Sequence, residues 1–395
     1  MLIPPPEFTL ARLPAIRFGS GTFRQLPARM ASHGRRALLV TGERSLLDSP
    51  RWSDFQNDLQ EAGIDWWHQI VSGEPGPELV DDTVARLARS DIQVVVGIGG
   101  GSVLDAAKAI AGLLRVGDSV MEYLEGVGAG REYPGPAVPM IAVPTTAGTG
   151  SEATKNAVLS RHGPDGFKKS FRDEQLVPVE AIIDPDLLVS CPARQIAANA
   201  MDALTQLLES YTSTRINPFT DALAESGLRA VGEGLFPWYR HNEPAGRAQL
   251  AYAALLSGIC LAHTGLGAVH GLASPLGAWF PAPHGVVCGM LVAPATRVNL
   301  AALRQRQPDS AVLARYARAH AWLAGLPAEA GSADELVVLL EDWTRRLELP
   351  LLDRFGVSRA DLPRIVQGSR GNSMKTNPVV LEDRELATIL EARCP

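Results

Sequence analysis

The sequence predicts two unlike halves: an α/β domain with a parallel sheet at residues 1–188, then an all-α domain at 189–395. Three observations carry this reading. Short apolar runs alternate with helical patterns in the first half. Past about residue 188 the strand signals fade, and long Ala/Leu-rich amphipathic runs replace them. Two of the apolar runs end in turns rich in glycine or hydroxyl side chains. Alternating strand and helix implies a parallel sheet covered on both faces.

Taken in order, residues 1–36 carry Pro and Arg and a Gly19-Ser20-Gly21 turn. Ala37–Thr41 reads as a buried strand ending at Gly42. The amphipathic stretch Glu78–Ala88 precedes a second apolar strand, Ile92–Val96, which Gly97-Ile98 closes. Pro139–Val143 is a third strand, stopped by Pro144, and Ala181–Ile183 is a fourth, stopped by Asp184-Pro185. The helical runs expected after that are Ala193–Tyr211, Phe219–Val231, Ala245–Ala262, Ser310–Leu323, Ala333–Leu347 and Leu381–Ala392. No internal repeat or low-complexity tract stands out.

Composition narrows the function classes. With 395 residues, 46% hydrophobic and 20% charged, the chain reads as soluble and globular with ample core. A net charge of −6 argues against a nucleic-acid or polyanion binder, which shows a basic patch or stripe. Cys191, Cys260, Cys288 and Cys394 are far apart and form no C-x-x-C, which favours a reducing, cytoplasmic setting. The opening MLIPPPEFTL lacks a basic region followed by an apolar run, so no secretory signal is expected. The weakly charged segment Ala248–Val269 raises a membrane question. Its Gln249, Tyr252, Ser257, His263 and Thr264 point instead to a core helix.

Two turns look built for a ligand. Ile92–Ile98 runs into Gly99-Gly100-Gly101-Ser102 and then a helical Val103–Ile110. Strand, glycine turn and helix start together make an anion site, because glycine admits a phosphate and the first helical N–H groups point at it. Asp105, placed in the first turn, suits the helix dipole and fixes the turn. A tight connection with no ligand fits the same residues, and the spacing G-x-G-G-G-S is not a G-x-G-x-x-G fingerprint. The second turn is Pro144-Thr-Thr-Ala-Gly-Thr-Gly-Ser-Glu152, at the carboxyl end of the third strand, where open α/β sheets collect ligands. It also serves as a Ser/Thr cap for whatever follows. Lys168 and Lys169 read either as cations reaching a phosphate or ribose, or as a solvated surface pair.

The helical half holds the other constellation. In Gly265–Gly285, His270 lies in a small, apolar, helix-compatible run, and His284 follows a Pro-rich turn. Two imidazoles need at least one more donor to hold a divalent metal. Asp202 is the best upstream supplier, and Gln206, four residues on, shares its face on a helix. The candidate centre is therefore Asp202, Gln206, His270 and His284. Ordinary buried or capping histidines are the other reading.

Together these stretches resemble the iron-containing (group III) alcohol dehydrogenase family. The matching pieces are Gly99–Lys108, Pro144–Glu152, Asp202–Thr205, Gly265–Gly271, Pro275–Gly277, Pro283–Gly285 and Asn377-Pro378, in family order along most of the chain. The resemblance implies a dehydroquinate synthase-like architecture, with an N-terminal dinucleotide-binding domain and a helical metal- and substrate-binding domain. It implies NAD or NADP and a divalent metal, Fe2+ or Zn2+, meeting in the cleft between the domains. Gly99, Gly100, Gly101 and Ser102 would hold the pyrophosphate. Thr145, Thr146 and Thr149 would line the cofactor cleft, and Lys168 would reach the ribose region. Asp202, His270 and His284 match three of the family's ligands, while Gln206 stands where a histidine is common, and an amide oxygen is a weaker donor to iron or zinc.

The activity so implied is reversible hydride transfer between a small alcohol or aldehyde and the nicotinamide, with the metal as Lewis acid. Metal-independent reductases of the maleylacetate reductase type and dehydroquinate synthase-like lyases are the alternatives. A homodimer with no membrane or nucleic-acid partner completes the expectation. In this family an acid often follows the Val-Thr of the first strand and repels a 2′-phosphate. Gly42 stands there instead, followed by Glu43 and Arg44, so NADP should be tolerated.

Overall fold

Aliphatic runs buried on both faces build the sheet of the first half. The structure, a computed structural model, describes residues 7–161, 163 and 166–395. Met1–Pro6, part of the stretch inspected for a leader, lie outside the described residues. The strands are β1 (Ala15–Phe18), β2 (Arg36–Gly42), β3 (Asp65–Val71), β4 (Val94–Gly99), β5 (Met140–Pro144), β6 (Asn156–Arg161), β7 (Phe167–Arg172) and β8 (Glu180–Ile183). Among the described residues, six of them form one sheet in the order β1-β8-β5-β4-β2-β3, every pairing parallel. β6 and β7 pair antiparallel on their own. Helices α1 (Leu26–His33), α2 (Pro50–Glu61), α3 (Pro77–Leu87) and α4 (Gly101–Leu113) connect the strands.

β4 is buried along its whole length, as a central parallel strand should be. Its register pairs Gly99 with Pro144 of β5 and Ile98 with Thr41 of β2. The carboxyl ends of β2, β4 and β5 therefore lie side by side. From β2 the chain goes to β3 on one side and returns to β4 on the other. That reversal is a topological switch point, where open α/β sheets place their ligands.

Arg12–Cys191 forms one compact unit, and 192–395 with the described residues 7–11 forms a second. The backbone N–H of Ala11 donates to His263 Nε2 at 2.9 Å, tying that first segment to the helices. The second unit contains α5 (Ala193–Thr212), α6 (Pro218–His241), α7 (Pro244–Thr264), α8 (Ala268–Trp279), α9 (His284–Arg306), α10 (Ala311–Leu323), α11 (Ala333–Arg346), α12 (Leu362–Gly368) and α13 (Asp383–Glu391). α7 and α9 are long and apolar enough to cross a membrane by length and composition, but 67% and 78% of their apolar windows are buried inside the protein. Ala248–Thr264 is thus a core helix, as its polar residues suggested.

Several boundaries differ from the expectation. β4 begins at Val94 and runs through Gly97-Ile98-Gly99, so those residues belong to the strand and do not close it. α6 continues past the expected end at Val231 to His241, carrying Pro237 inside it. β1, β3, β6 and β7 were not expected. Most of their residues outside β6 are partly or fully exposed, so the apolar run that marks a buried strand is missing.

Candidate metal centre and glycine turn

α4 starts directly after Gly100, and no side chain caps it. Its first N–H groups, which lack intrahelical partners, are available to an anion. The two polar turns are in contact. Thr145 N–H donates to Gly99 O at 2.9 Å. A Cβ on Gly100 would lie 3.2 Å from Thr146 Oγ1, and one on Gly101 would lie 2.9 Å from Thr149 Cγ2. Glycine at these positions lets the first turn approach the threonine side chains of the second this closely. Gly42, at the end of the neighbouring strand, has open space, since a Cβ there would meet only Val103 Cγ2 at 3.8 Å.

Asp105 corrects the expectation. α4 begins at Gly101, which puts Asp105 in the second turn with no acid in the first. Its carboxylate holds the other turn in place by accepting from Ser151 Oγ at 2.6 Å. Lys108 is fully buried beneath it, 3.4 Å from Asp105 and 3.1 Å from Thr154 Oγ1. Burial pushes the Asp105 carboxyl up, against the pull of Lys108 and Ser151. Burial likewise takes the Lys108 ammonium down and pushes Glu152 up to about 7. Lys168 lies on β7, and its ammonium bonds to Glu74.

The second cluster is assembled by three helices. α5 carries Asp202, Gln206 and Glu209 on one face, α8 carries His270, and α9 opens with His284. His284 is thus the first residue of a long helix. Gly285 lets that helix start against α5, because a Cβ there would fall 2.4 Å from Ala198 O. The start of α8 is pinned by Asn377, whose Oδ1 accepts from Ala268 N–H at 3.0 Å, and by Glu209, whose Oε1 accepts from Val269 N–H at 2.7 Å.

His270 is held at both ends. Its Nδ1 lies 2.6 Å from Glu209 Oε2 and its Nε2 lies 3.3 Å from Asp202 Oδ1. A carboxylate behind the ring fixes the tautomer that leaves Nε2 to face a metal. His284 Nε2 lies 3.8 Å from the same Asp202 oxygen, and Cys288 Sγ lies 3.6 Å from His270 Nε2 and 3.7 Å from His284 Nε2. The ligand atoms of Asp202, His270, His284 and Cys288 all fall within 4.8 Å of one another. Gln206 Nε2 is 3.2 Å from Asp202 Oδ1, and its Oε1 is buried with no hydrogen-bond partner. A carboxylate, two imidazoles, a thiol and an orphaned amide oxygen form a donor set that fits a divalent cation.

The members of the cluster shift one another's protonation. Burial raises the Asp202 carboxyl, but His284, His270 and Gln206 more than offset it and bring it down to about 2. Burial works against a charged His270, yet the Glu209 and Asp202 carboxylates around it hold its pKa well above the ordinary value. The Cys288 thiol is pushed up to about 12 by burial.

Residues 14–185 match the iron-containing alcohol dehydrogenase family, and residues 196–394 match its C-terminal domain. The chain belongs to the iron-containing alcohol dehydrogenase family. Among the relatives is the 1,3-propanediol dehydrogenase of Klebsiella pneumoniae, 32% identical over 369 residues that cover 90% of each chain. The NAD-dependent methanol dehydrogenase of Bacillus methanolicus is 28% identical over 382 residues, 96% of this chain and 97% of that one. Among solved structures, the archaeal halo-thermophilic Red Sea brine pool alcohol dehydrogenase superposes with a TM-score of 0.88 at 26% identity, covering 99% of both chains.

Within this family frame, two residues of the cluster escaped the sequence reading. Glu209 stands seven positions after Asp202, two helical turns along the same face. Cys288 stands four positions after His284, again one face of a helix. The signal for Cys288 was hidden because α9 had not been recognised as starting at His284.

Proposed function

We propose that this oxidoreductase is a metal-dependent, NAD(P)-linked alcohol dehydrogenase that also runs as an aldehyde reductase on small substrates. The observation that carries the reading is the buried Asp202–His270–His284 cluster with Glu209 behind His270. When bound, a divalent cation supplies Lewis acidity toward an alcohol or carbonyl oxygen and the nicotinamide supplies hydride transfer. Asp202 contributes the negative charge that balances part of the cation's charge. His270 and His284 contribute nitrogen donors, and Glu209 keeps His270 in the required tautomer. Gln206 steadies the Asp202 carboxylate through its Nε2. On the other unit, Gly99–Ser102 offers backbone N–H groups to a pyrophosphate, with Thr145, Thr146 and Thr149 packed beside them and Lys168 further along. Gly42 leaves room for the 2′-phosphate of NADP at the end of β2. We assign the dinucleotide to the 1–188 half and the metal and substrate to the 189–395 half. All four cysteines are free thiols, in keeping with a cytoplasmic enzyme, and a homodimer is the assembly we favour.

The test is the absorbance change of the nicotinamide with a panel of small alcohols and aldehydes, using both cofactors. It is run before and after chelation and again after adding back Zn2+ or Fe2+. Turnover should vanish on chelation, return with metal, and be absent from Asp202→Ala. Full turnover in the metal-free protein and in Asp202→Ala would establish a metal-independent reductase instead.

A further inference from the structure

We propose that the Cys288 thiolate is the fourth protein ligand of this centre, making it an Asp-His-His-Cys site suited to zinc. The inference rests on the metal-dependent reading above and adds one donor to it. Tetrahedral coordination, with metal–nitrogen and metal–oxygen bonds of about 2.0 Å and metal–sulfur bonds of about 2.3 Å, sets ligand-to-ligand edges of roughly 3.3 Å for N/O pairs and roughly 3.5 Å for S/N pairs. Four of the six edges are 3.3 Å for His270 Nε2–Asp202 Oδ1, 3.8 Å for His284 Nε2–Asp202 Oδ1, 3.6 Å for Cys288 Sγ–His270 Nε2 and 3.7 Å for Cys288 Sγ–His284 Nε2, and all six lie within 4.8 Å. Both sulfur edges lie within about 0.2 Å of the tetrahedral value, and the longest of these four edges involves His284, the most exposed of the four ligands.

The placement follows from the fold. His284 and Cys288 are one turn apart on α9, so a single helix face delivers both. Gly289 presses that face against α5, where a Cβ would lie 2.8 Å from Met201 Cβ. The rival fourth donor is Gln206. Its amide turns nitrogen, not oxygen, toward Asp202 Oδ1, the oxygen that faces both imidazoles. It therefore positions the carboxylate. A thiolate is also the softer and stronger donor to zinc or cobalt than a neutral amide oxygen. On binding, the sulfur–hydrogen bond breaks, the proton leaves to solvent, and the freed electron pair is donated to the cation. His284, with a side chain 29% exposed, is the most open of the four.

The test is optical and needs no turnover. The full-length protein is stripped of metal and loaded with one equivalent of cobalt(II). A near-ultraviolet thiolate-to-cobalt charge-transfer band is expected. It should be lost in Cys288→Ala and Cys288→Ser and kept in Cys260→Ser and Gln206→Leu. Zinc affinity, from competition with a chromogenic chelator, should fall by about 100-fold in Cys288→Ala, at or above the upper end of what outer-shell changes cause. Stoichiometric cobalt binding that requires Asp202 but shows no charge-transfer band overturns the Cys288 assignment and leaves the metal reading standing. A wild-type protein that binds no divalent metal overturns both. Because the band is read first in the wild type, the assignment is decided even where a Cys288 variant fails to fold.

Discussion

Replacing Glu209 by Gln should weaken both the helical unit and its grip on metal. The change keeps the shape and turns one carboxylate oxygen into an NH2 group. Both oxygens are committed, Oε2 to His270 Nδ1 at 2.6 Å and Oε1 to the Val269 N–H at 2.7 Å. If the amide oxygen faces His270, the NH2 opposes the Val269 N–H, donor against donor, at the buried start of α8. If it faces Val269, the NH2 opposes Nδ1, and the ring must move its proton to Nε2, the atom 3.3 Å from Asp202. Either way one hydrogen bond to a charged group is lost, worth about 1.5–3 kcal/mol. In the second case the loss falls on the ligand itself, and outer-shell changes of this kind cost about 10–100-fold in metal affinity, roughly 1.4–2.7 kcal/mol. The two ranges overlap, as they should if one interaction underlies both. Urea unfolding of metal-free protein reads the first quantity, and chelator competition for zinc reads the second. A Glu209→Gln protein with wild-type stability and wild-type zinc affinity would refute the idea that this carboxylate orients His270.

Three further outcomes are expected. Gly100→Val places a branched side chain where even a Cβ meets Thr146 Oγ1 at 3.2 Å, so dinucleotide affinity should drop at least tenfold by fluorescence titration while circular dichroism stays unchanged. Gly42→Asp puts an acid at the end of β2 and should move the ratio of kcat/KM values toward NAD by about tenfold or more, whereas an unmoved ratio would show that the adenosine ribose lies elsewhere. Glu152 has its pKa raised by burial from 4.5 to about 7, so the stability it contributes is fully present below pH 4.5 and is lost as pH rises through about 7. The loss is about 3 kcal/mol, and Glu152→Gln should flatten that slope in unfolding curves taken across the range; an unchanged slope would assign it to the neighbouring Asp105 and Lys108.

Much of this was legible in the residues themselves. The glycine turn announced itself because a valine-rich strand and an Ala-rich helix bracket it, and β4 and α4 stand on either side of Gly100. Asp202 was legible as the upstream carboxylate that two histidines need, and Gln206 by its helical spacing from Asp202. What stayed hidden had physical reasons. β3, Asp-Trp-Trp-His-Gln-Ile-Val, is an edge strand of mostly half-exposed residues, so neither a continuous apolar run nor a clean alternation marks it. α9 is buried nearly all round and contains Pro294, so it shows no polar face to set a helical period. Losing that helix meant losing the spacing that ties Cys288 to His284. Glu209 was passed over because its partner His270 is distant in the chain, and nothing local marks a carboxylate that acts through an imidazole.

The contact at Gly285 has a bearing on how such a centre changes over evolutionary time. Main chain meets main chain there, with room for no Cβ before Ala198 O. The spacing of α5 and α9 is therefore set by backbone, and the side chains at 202, 206, 284 and 288 inherit it. On the proposed metal reading, a side chain at these positions is exchanged by substitution without moving the scaffold that aims it. A lineage carrying this helix pair can retune its metal preference one codon at a time, while any side chain at position 285 itself would displace His284 and Cys288 together.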